Sequence, residues 1–401
     1  MSVAHQERSG LPVVQLVTDE LPRGPWIFAR QVEEHPDVED GALVEVRDAS
    51  ARFVGHALYN GASDIRLRLV ARGRRNALER PREFLLARLR DADRLRRRTL
   101  RLADVTDAYR VVHAEGDDLS GLVVDRLGPV LVCEYHALGF YRLREELTRA
   151  LGELYPGLPV LHRVPASVRK AESFPAELEL EEGIQDVEIH EHGLVFPVRA
   201  GAEHKTGWFC DQRENRVNVA KLCAGRSVLD LCCNAGGFAL QAKKHGAREV
   251  RGVDLDEKAL VRANEAARKN GLEAEFVHED AFDFLRAELE RRSGPRPDVV
   301  ILDPHKLIRG KAGLEVGKKK YADLNTLALA CARPGGLVAT FSCSGALDLP
   351  SFLGIVFGAA RRAEREVRLL SLLEAGPDHP QRPDFPRSRY LKGALLAVDE
   401  T

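Results

Sequence analysis

The chain has 401 residues, of which 44% are hydrophobic and 30% are charged, so it can bury a large core and is too long for one compact domain. Its 60 Lys and Arg against 61 Asp and Glu give a net charge of -1, which argues against a uniformly basic nucleic-acid-binding surface and against an acidic disordered chain. A partner recognised by charge must therefore meet a local patch.

The seven cysteines do not indicate a metal site, because none forms a CxxC pair or lies near a His at zinc-finger spacing. The N-terminal residues lack the apolar core of a signal peptide. The longest uncharged apolar run, near residues 349–360, is shorter than the roughly 20 residues that span a bilayer. We therefore expect a soluble, cytoplasmic protein without a metal and without a membrane partner.

Short apolar runs separated by Gly, Pro and Asp fill residues 11–72 and predict a small β-barrel. The predicted strands are 13–17, 42–46, 53–59 and 65–70. Fourteen Arg but only four acidic residues then lie between Arg66 and Arg101. Pro81 is placed to begin a helix here, with Phe84, Leu85, Leu89, Ala92 and Leu95 on its apolar side.

This arginine-rich helix has two interpretations. Its one-signed charge fits RNA phosphates, and a solvated helix face packed on the barrel fits equally well. The candidate RNA-binding residues are Arg94, Arg96, Arg97 and Arg98.

The rest of the chain predicts a mixed segment and then an α/β domain. Residues 108–199 contain three strand-like runs and one helix from Tyr141 to Leu154. After about residue 217, buried strands alternate with helices, which predicts a doubly wound parallel sheet. The strands are 227–233, 250–254, 274–278, 299–303 and 337–342, and the runs 367–373 and 390–398 predict a closing antiparallel hairpin. We therefore predict an α/β fold with domains at 1–80, 81–199 and 200–401.

The C-terminal ends of the predicted parallel strands carry the most informative residues. Asp230 precedes a turn with small residues at 235–237 that leads into a helix, and Asp254 and Asp280 end the next two strands. In an open α/β sheet such residues line a nucleoside across the strand ends. Each Asp taken singly also suits a helix N-cap. Three at successive strand ends favour a ligand site.

The fourth and fifth strands end in Asp303-Pro-His-Lys306 and Phe341-Ser-Cys-Ser-Gly345, which should be neighbours. Cys343 would then lie beside Asp303, where a deprotonated thiol can act as a nucleophile. The alternative is a small buried hydrophobe, which is common for a free Cys.

The sequence resembles the ribosomal RNA large subunit methyltransferase I family over nearly its whole length. The similarity is carried by Lys205-Thr-Gly-Trp-Phe-Cys-Asp-Gln-Arg-Glu-Asn-Arg216, Asp230-Leu-Cys-Cys-Asn-Ala-Gly-Gly-Phe238, Asp303-Pro-His-Lys306, Phe341-Ser-Cys-Ser-Gly345 and Tyr390-Leu-Lys-Gly393. Pro25-Trp-Ile-Phe28 and residues 55–63 resemble the family's PUA domain, and residues 115–122 resemble its central domain. The resemblance implies an S-adenosylmethionine-dependent enzyme that forms 5-methylcytosine in large-subunit (23S) ribosomal RNA.

The resemblance also implies roles for individual residues. Those expected at the cofactor are Asp211, Arg213, Asp230, Asn234, Gly236, Asp254, Asp280 and Asp303. Cys343 would attack C6 of cytosine, because C5 becomes nucleophilic only when a thiolate adds at C6. Asp303, His305 and Lys306 are the other candidate catalytic residues.

One motif departs from the family pattern. The family usually has Asp-Pro-Pro-Lys-Phe where this chain has Asp303-Pro-His-Lys-Leu307. His305 either points to solvent as a bystander or removes the C5 proton. Two other functions stay open: a methyltransferase acting on another RNA or another atom, and an RNA-binding relative without catalysis. The sequence leaves the oligomeric state open, a homodimer included.

Overall fold

The computed structural model describes residues 10–21, 23–33, 37–72, 81–175, 185–201, 205–291, 294–308 and 312–399. The chain forms two compact units, and each contains separate stretches of sequence. Unit 1 combines the chain before Glu188 with 199–208 and 377–388. Unit 2 combines 188–198, 209–376 and the chain from Arg389 onward.

Unit 1 begins with a five-stranded sheet whose strand order is β1-β3-β4-β5-β2. The strands are β1 (Val13–Gln15), β2 (Trp26–Ile27), β3 (Leu43–Arg47), β4 (Phe53–Tyr59) and β5 (Leu67–Arg72). β1 runs parallel to β3, and the other pairs are antiparallel. Val14, Val44, Val46 and Leu67 are fully buried in its core. The predicted N-terminal β-domain is confirmed as a five-stranded sheet with its own core.

The arginine-rich helix changes its geometry part-way along. Helix α1 spans Pro81–Asp93, and a π-helical segment, Arg94–Thr99, continues it. Here the N–H of Leu100 donates to the carbonyl of Leu95 at 2.9 Å, one residue further than in an α-helix. Arg96 is buried and Leu95 only half-buried. Arg96 follows the buried Leu89 and Ala92 by seven and four residues, so the ordinary helical period places it on the same face. The prediction that Leu95 would extend the apolar side is therefore only partly met.

A four-stranded sheet completes unit 1, in the order β6-β7-β8-β9. Its strands are β6 (Ala108–His113), β7 (Leu122–Leu127), β8 (Val130–Tyr135) and β9 (Val160–Arg163), and its helices are α2 (Leu138–Arg142), α3 (Arg144–Leu154) and α4 (Ala166–Arg169). The single helix predicted from Tyr141 is two helices that meet at Leu143. One core joins this sheet to Leu58, Val70 and Ala71 of the first sheet.

A two-stranded hairpin, β10 (Gln185–Glu191) and β11 (Leu194–Ala200), precedes the main sheet of unit 2. That sheet has seven strands in the order β14-β13-β12-β15-β16-β18-β17. Its strands are β12 (Ser227–Leu231), β13 (Glu249–Asp254), β14 (Glu275–His278), β15 (Val299–Leu302), β16 (Leu337–Ser342), β17 (Val367–Glu374) and β18 (Lys392–Val398). The helices are α5 (Arg213–Ala220), α6 (Gly237–Lys244), α7 (Glu257–Lys269), α8 (Ala281–Glu290), α9 (Leu314–Cys331) and α10 (Leu349–Arg362).

The seven-stranded sheet is buried on both faces because alternate residues of its strands enter different cores. Leu229 and Val300 pack into one hydrophobic cluster, whereas Val228 and Val299 pack into the other. Five strands are parallel, and β18 and β17 close the sheet as the predicted antiparallel hairpin. The predicted α/β fold is confirmed. Within the described residues, no helix is both long and apolar enough to cross a membrane.

Candidate active site

The candidate site lies at the C-terminal edge of the parallel strands of unit 2. Strand register places Leu231 of β12 opposite Leu302 of β15, and Leu302 opposite Thr340 of β16. The loops that follow these strands therefore emerge side by side, at the point where the strand order reverses. This edge brings together Asp230, Asp254, Asp303 and the loop that carries Cys343.

The loop after β12 has an unusual backbone. Cys232, Asn234 and Gly236 all have positive φ, at 61°, 48° and 77°. Asn and Gly tolerate this left-handed conformation, whereas Cys rarely adopts it. The backbone N–H of Asn234 donates to Asp254 Oδ2 at 2.8 Å, so the loop is tied to the end of β13.

The small residues of this loop are required by contacts inside the protein. A Cβ at Gly236 would lie 2.9 Å from Cζ of Phe276, and a Cβ at Gly237 would lie 2.5 Å from Nε of Arg216. Arg216 is itself held by Glu191, whose carboxylate oxygens lie 2.8 and 2.9 Å from its Nη1. Packing against Phe276 and Arg216 thus excludes side chains here, in addition to any need for close approach to a ligand.

Asp230 is buried with one carboxylate oxygen unsatisfied. Its Oδ2 accepts a hydrogen bond from the N–H of Ala239 at 3.0 Å, but Oδ1 has no hydrogen-bond partner among the described residues. Burial raises the pKa of Asp230 well above its usual value, and the charges of Asp303 and Asp254 raise it further. This concentration of negative charge suits a cationic ligand such as a sulfonium or an ammonium group.

Asp254 and Asp280 are held by backbone donors at the ends of their strands. Asp254 Oδ1 accepts the N–H of Asp256 at 2.8 Å. Asp280 is the N-cap of α8 and accepts the N–H of Phe282 at 2.8 Å. The helix-cap alternative is therefore observed for Asp280. Both carboxylates are fixed in position at the same edge of the sheet, and their contacts with a cofactor stay a prediction.

The candidate residues at the start of α5 and just before it contact other side chains of unit 2. Asp211 Oδ2 accepts the hydroxyl of Tyr390 at 2.6 Å, and the guanidinium of the fully buried Arg213 lies 3.1 Å from Glu214. Between them, Gln212 donates from Nε2 to Asp303 Oδ2 at 2.9 Å. The amide of Asn215 donates in turn to Gln212 Oε1 at 2.6 Å.

Gln212 and Asn215 are functional candidates that the sequence did not single out. Both belong to the motif that carries the family resemblance, but nothing in the spacing of that motif indicates a hydrogen bond to Asp303. They orient the Asp303 carboxylate at the strand edge.

Cys343 follows β16 and is half-buried. Ser342 is opposite Lys392 in the β16–β18 register, and Lys392 is buried. Burial lowers the pKa of Lys392 to about 8; Cys343 and Asp348 act in the opposite direction. His305 and Lys306 are exposed on the loop after β15. Lys392 is a third residue that the sequence did not single out, although it lies in Tyr390-Leu-Lys-Gly393.

The candidate RNA-binding arginines of unit 1 divide into two groups. Arg94, Arg97 and Arg98 are exposed. Arg94 and Arg97 make i,i+3 and i,i+4 ion pairs with Asp91 and Asp93, at 3.2 and 3.7 Å, and such exposed pairs are weak.

The prediction for Arg96 has to be corrected, because the side chain of this residue is fully buried. Its Nη1 and Nη2 bind the two carboxylate oxygens of Asp117 at 2.6 and 2.7 Å. Nε donates to the carbonyl of Arg110 at 2.9 Å, and Nη2 donates to that of Asp378 at 2.7 Å. The prediction that Arg96 contacts RNA phosphates is therefore wrong for this fold, and the residue is part of a buried polar network.

Comparisons with known protein families agree with this architecture. Residues 164–396 match the family model described as S-adenosylmethionine-dependent methyltransferase, and residues 22–72 match a PUA-like domain. A Streptococcus mutans protein described as an S-adenosylmethionine-dependent methyltransferase has the same fold, with a TM-score of 0.79 at 19% identity over 97% of this chain and 100% of that one. A methyltransferase solved with S-adenosylhomocysteine has a TM-score of 0.78 at 20% identity, covering 96% of this chain and 99% of its own.

The fold and the acidic strand ends define the class: this is an S-adenosylmethionine-dependent methyltransferase. Two curated relatives carry the name ribosomal RNA large subunit methyltransferase I. The protein from Aeromonas hydrophila is 36% identical over 386 residues, covering 94% of this chain and 96% of the relative. That from Photobacterium profundum is 36% identical over 384 residues, with the same coverage. The chain belongs to the ribosomal RNA large subunit methyltransferase I family.

Proposed function

We propose that this enzyme methylates C5 of a cytosine in RNA, in large-subunit ribosomal RNA, through a covalent bond between Cys343 and the base. The observation that carries the proposal is the position of Cys343. A half-buried thiol follows β16, beside the loop that carries Asp303 and at the same sheet edge as the acidic strand ends. The PUA-like domain and the names of the relatives support an RNA substrate.

The acidic strand ends would hold the cofactor, S-adenosylmethionine. The unsatisfied Oδ1 of Asp230 and the neighbouring charges of Asp254 and Asp303 suit its positive groups. Asp254 would accept the ribose hydroxyls, and Asp280 would lie at the adenine edge. Asn234 and Gly236 of the loop after β12 would contact the cofactor, as would Asp211 and Arg213, the first residue of α5. The bound cofactor supplies an electrophilic methyl group.

The side chains around the base would perform the remaining steps. The Cys343 thiolate adds to C6, and the electron pair of the C5–C6 double bond then makes C5 nucleophilic toward the methyl group. After methyl transfer a base removes the C5 proton, the double bond re-forms and the thiolate leaves. Asp303, oriented by Gln212, is suited to accept a hydrogen bond from the N4 amine of cytosine. His305 and Lys306, both exposed, are the candidates for proton removal and for contact with the RNA backbone.

The test is methylation of ribosomal RNA by Cys343→Ala. We expect wild-type enzyme to produce 5-methylcytosine and the variant to lose activity by at least about a thousandfold while still binding S-adenosylmethionine, because the thiol acts on the base. Nucleoside mass spectrometry and calorimetry measure the two properties.

A mechanism-based trap sharpens this test. RNA containing 5-fluorocytosine should form a covalent complex with the wild type, because a base cannot remove the C5 fluorine as it removes the C5 proton. Cys343→Ala should form no such complex. Cys232→Ala, which removes the other half-buried cysteine of unit 2, serves as the matched control and should still be trapped. Robust turnover by Cys343→Ala would show that another atom is methylated. Absence of methyl transfer by the wild type to any RNA would favour an RNA-binding protein without catalysis.

The exposed arginines Arg94, Arg97 and Arg98 are proposed to contact RNA phosphates. All three lie on the π-helical segment, and the only ion pairs they make among the described residues are weak ones at the surface.

A further inference from the structure

Lys392 is a buried cation whose local partners are backbone carbonyls. It begins β18, and its side chain is 2% exposed. Its Nζ donates to the carbonyl of Ser344 at 2.9 Å and to that of Tyr390 at 2.8 Å. These two bonds fix the ammonium group against the loop that carries Cys343, because Ser344 is the next residue in the chain.

No carboxylate among the described residues lies within ion-pair distance of Lys392. Burying an ammonium group without a counter-ion is costly, and such a group is normally paired or loses its proton. Burial accordingly lowers the pKa of Lys392 to about 8, and Lys306 lowers it further. A neighbouring group that becomes negatively charged would therefore stabilise the protonated form of Lys392.

The titratable groups around Lys392 come from each neighbouring element. Asp348 raises its pKa, but this exposed residue caps α10, with Oδ1 accepting the N–H of Ser351 at 2.8 Å. Glu374 of β17 is its register partner, and the Glu374 carboxylate lies 3.9 Å from Arg389. Tyr321 of α9 lies 3.0 Å from the hydroxyl of Ser344. Cys343 opposes the lowering of the Lys392 pKa more strongly than Asp348 does.

We propose that Lys392 is a positioning residue whose ammonium group holds the Cys343 side chain as a thiolate. The proton of the thiol passes to solvent, and the sulfur retains the electron pair that forms the bond to C6. The proposal rests on the proposed function for its catalytic consequence. The ionisation of Cys343 itself can be measured without any RNA.

The experiment follows the alkylation of Cys343 by iodoacetamide from pH 5 to 10, with mass spectrometry of the digested full-length protein. Only the thiolate reacts, forming a sulfur–carbon bond and releasing iodide, so the rate reports the pKa of the thiol. We expect Lys392→Gln to raise this pKa and slow alkylation at pH 7 by about tenfold, one pKa unit. Lys392→Arg keeps the charge and should restore most of the rate.

Cys232 provides a control within the same digest. It is also half-buried, and burial together with Asp254 raises its pKa well above the usual value. Its alkylation should be slow at pH 7 and unchanged by either substitution. An unchanged Cys343 profile in Lys392→Gln would overturn the proposal.

A reciprocal measurement covers the case in which Lys392→Gln fails to fold. Linkage requires that a thiolate which is stabilised by Lys392 also stabilises the protonated amine. Cys343→Ser should therefore lower the pKa of Lys392, followed by NMR of protein labelled with 13C-lysine. An unchanged Lys392 pKa would also refute the inference. Methylation by Cys343→Ala would refute the proposed function and leave both of these measurements valid.

Discussion

Asp230 is a buried residue of the candidate site whose ionisation is electrostatically unfavourable. Its pKa in the folded protein is raised above the usual 3.8 by burial, with Asp303 and Asp254 contributing. A carboxyl whose folded pKa is raised stabilises the fold fully below its unfolded pKa. That contribution is lost as the pH rises through the folded value. Asp230 therefore makes the cofactor-free protein less stable at neutral pH than at acidic pH.

We predict that Asp230→Asn raises the free energy of unfolding of the cofactor-free protein at pH 7, because the cost of ionising a buried carboxyl is removed while the bond from Ala239 can be kept. Urea unfolding measures this change. The same variant should lose affinity for S-adenosylmethionine, measured by calorimetry.

Asp298 is the matched control for this substitution. Burial alone would raise the pKa of Asp298, but hydrogen bonds from Ser227 and the charge of Arg333 lower it overall. Its carboxylate lies 2.8 Å from the N–H of Ser227 and 2.6 Å from Nη1 of Arg333. Asp298→Asn should therefore lower the free energy of unfolding at pH 7. If the free energy of unfolding decreased in both variants, the conclusion that the buried Asp230 carboxyl destabilises the fold would be wrong.

The sequence predicts those site residues whose position next to a recognisable strand places them at the edge of the sheet. Asp230, Asp254 and Asp303 were found because each lies at the end of an apolar strand, and parallel strands end at one edge. Gln212 and Lys392 could not be found in this way. Their hydrogen bonds arise when distant segments pack together, and no spacing along the chain encodes them.

At the scale of elements, the arginine cluster of one helix divides into a buried member and exposed members. Binary patterning predicted the helix and its apolar side, because the 3.6-residue period is readable in the sequence. The same period places Arg96 on that side, seven residues after Leu89. Its charge nevertheless grouped it with Arg94, Arg97 and Arg98, because the sequence does not show the buried acceptors that bind its guanidinium.

We expect Arg97→Gln/Arg98→Gln to flatten the salt dependence of RNA affinity. Each lost phosphate contact reduces the slope of log K against log salt by about 0.7–0.9, so a change of about 1–2 is expected. Fluorescence anisotropy with a ribosomal RNA fragment at several KCl concentrations measures the slope.

Arg361→Gln/Arg362→Gln gives the matched control. These two adjacent arginines are exposed at the end of α10, and their substitution removes the same amount of charge. If the Arg97/Arg98 variant kept the wild-type slope, the segment would be interpreted as a solvated helix face that does not bind RNA. An equal loss in both variants would show that the effect follows net charge alone.

At the scale of the whole molecule, the two units interrupt each other along the chain. Residues 377–388 belong to unit 1 although the segments before and after them belong to unit 2. Within unit 1, Asp378 Oδ2 accepts the N–H of Arg110 at 3.0 Å, and its carbonyl accepts Nη2 of Arg96 at 2.7 Å. The sequence predicted the sheets from local periodicity. It did not predict this interleaving, which depends on contacts between segments that are far apart in the chain.

We predict that Asp378→Ala weakens unit 1 by about 1–3 kcal/mol, because it leaves the buried Arg110 N–H without its acceptor. Hydrogen exchange of the full chain, followed by mass spectrometry, should show faster exchange in the peptide that contains β6. Asp384→Ala, which removes the 2.8 Å contact with Arg382 in the same segment, should have the smaller effect on β6. Unchanged protection of β6 in Asp378→Ala would show that unit 1 does not depend on this bond.

The interleaving also sets an order of events during synthesis. Arg96 and Asp378 are 282 residues apart. At about 5–20 residues per second, a ribosome makes Asp378 roughly 14–56 s after Arg96. Both sheets of unit 1 have been synthesised once Arg163 is made, but until Asp378 follows the nascent chain lacks one acceptor for Arg96 and the acceptor for the Arg110 N–H. Unit 1 is therefore completed only after most of unit 2 has been translated, with strand β18 of unit 2 still to follow.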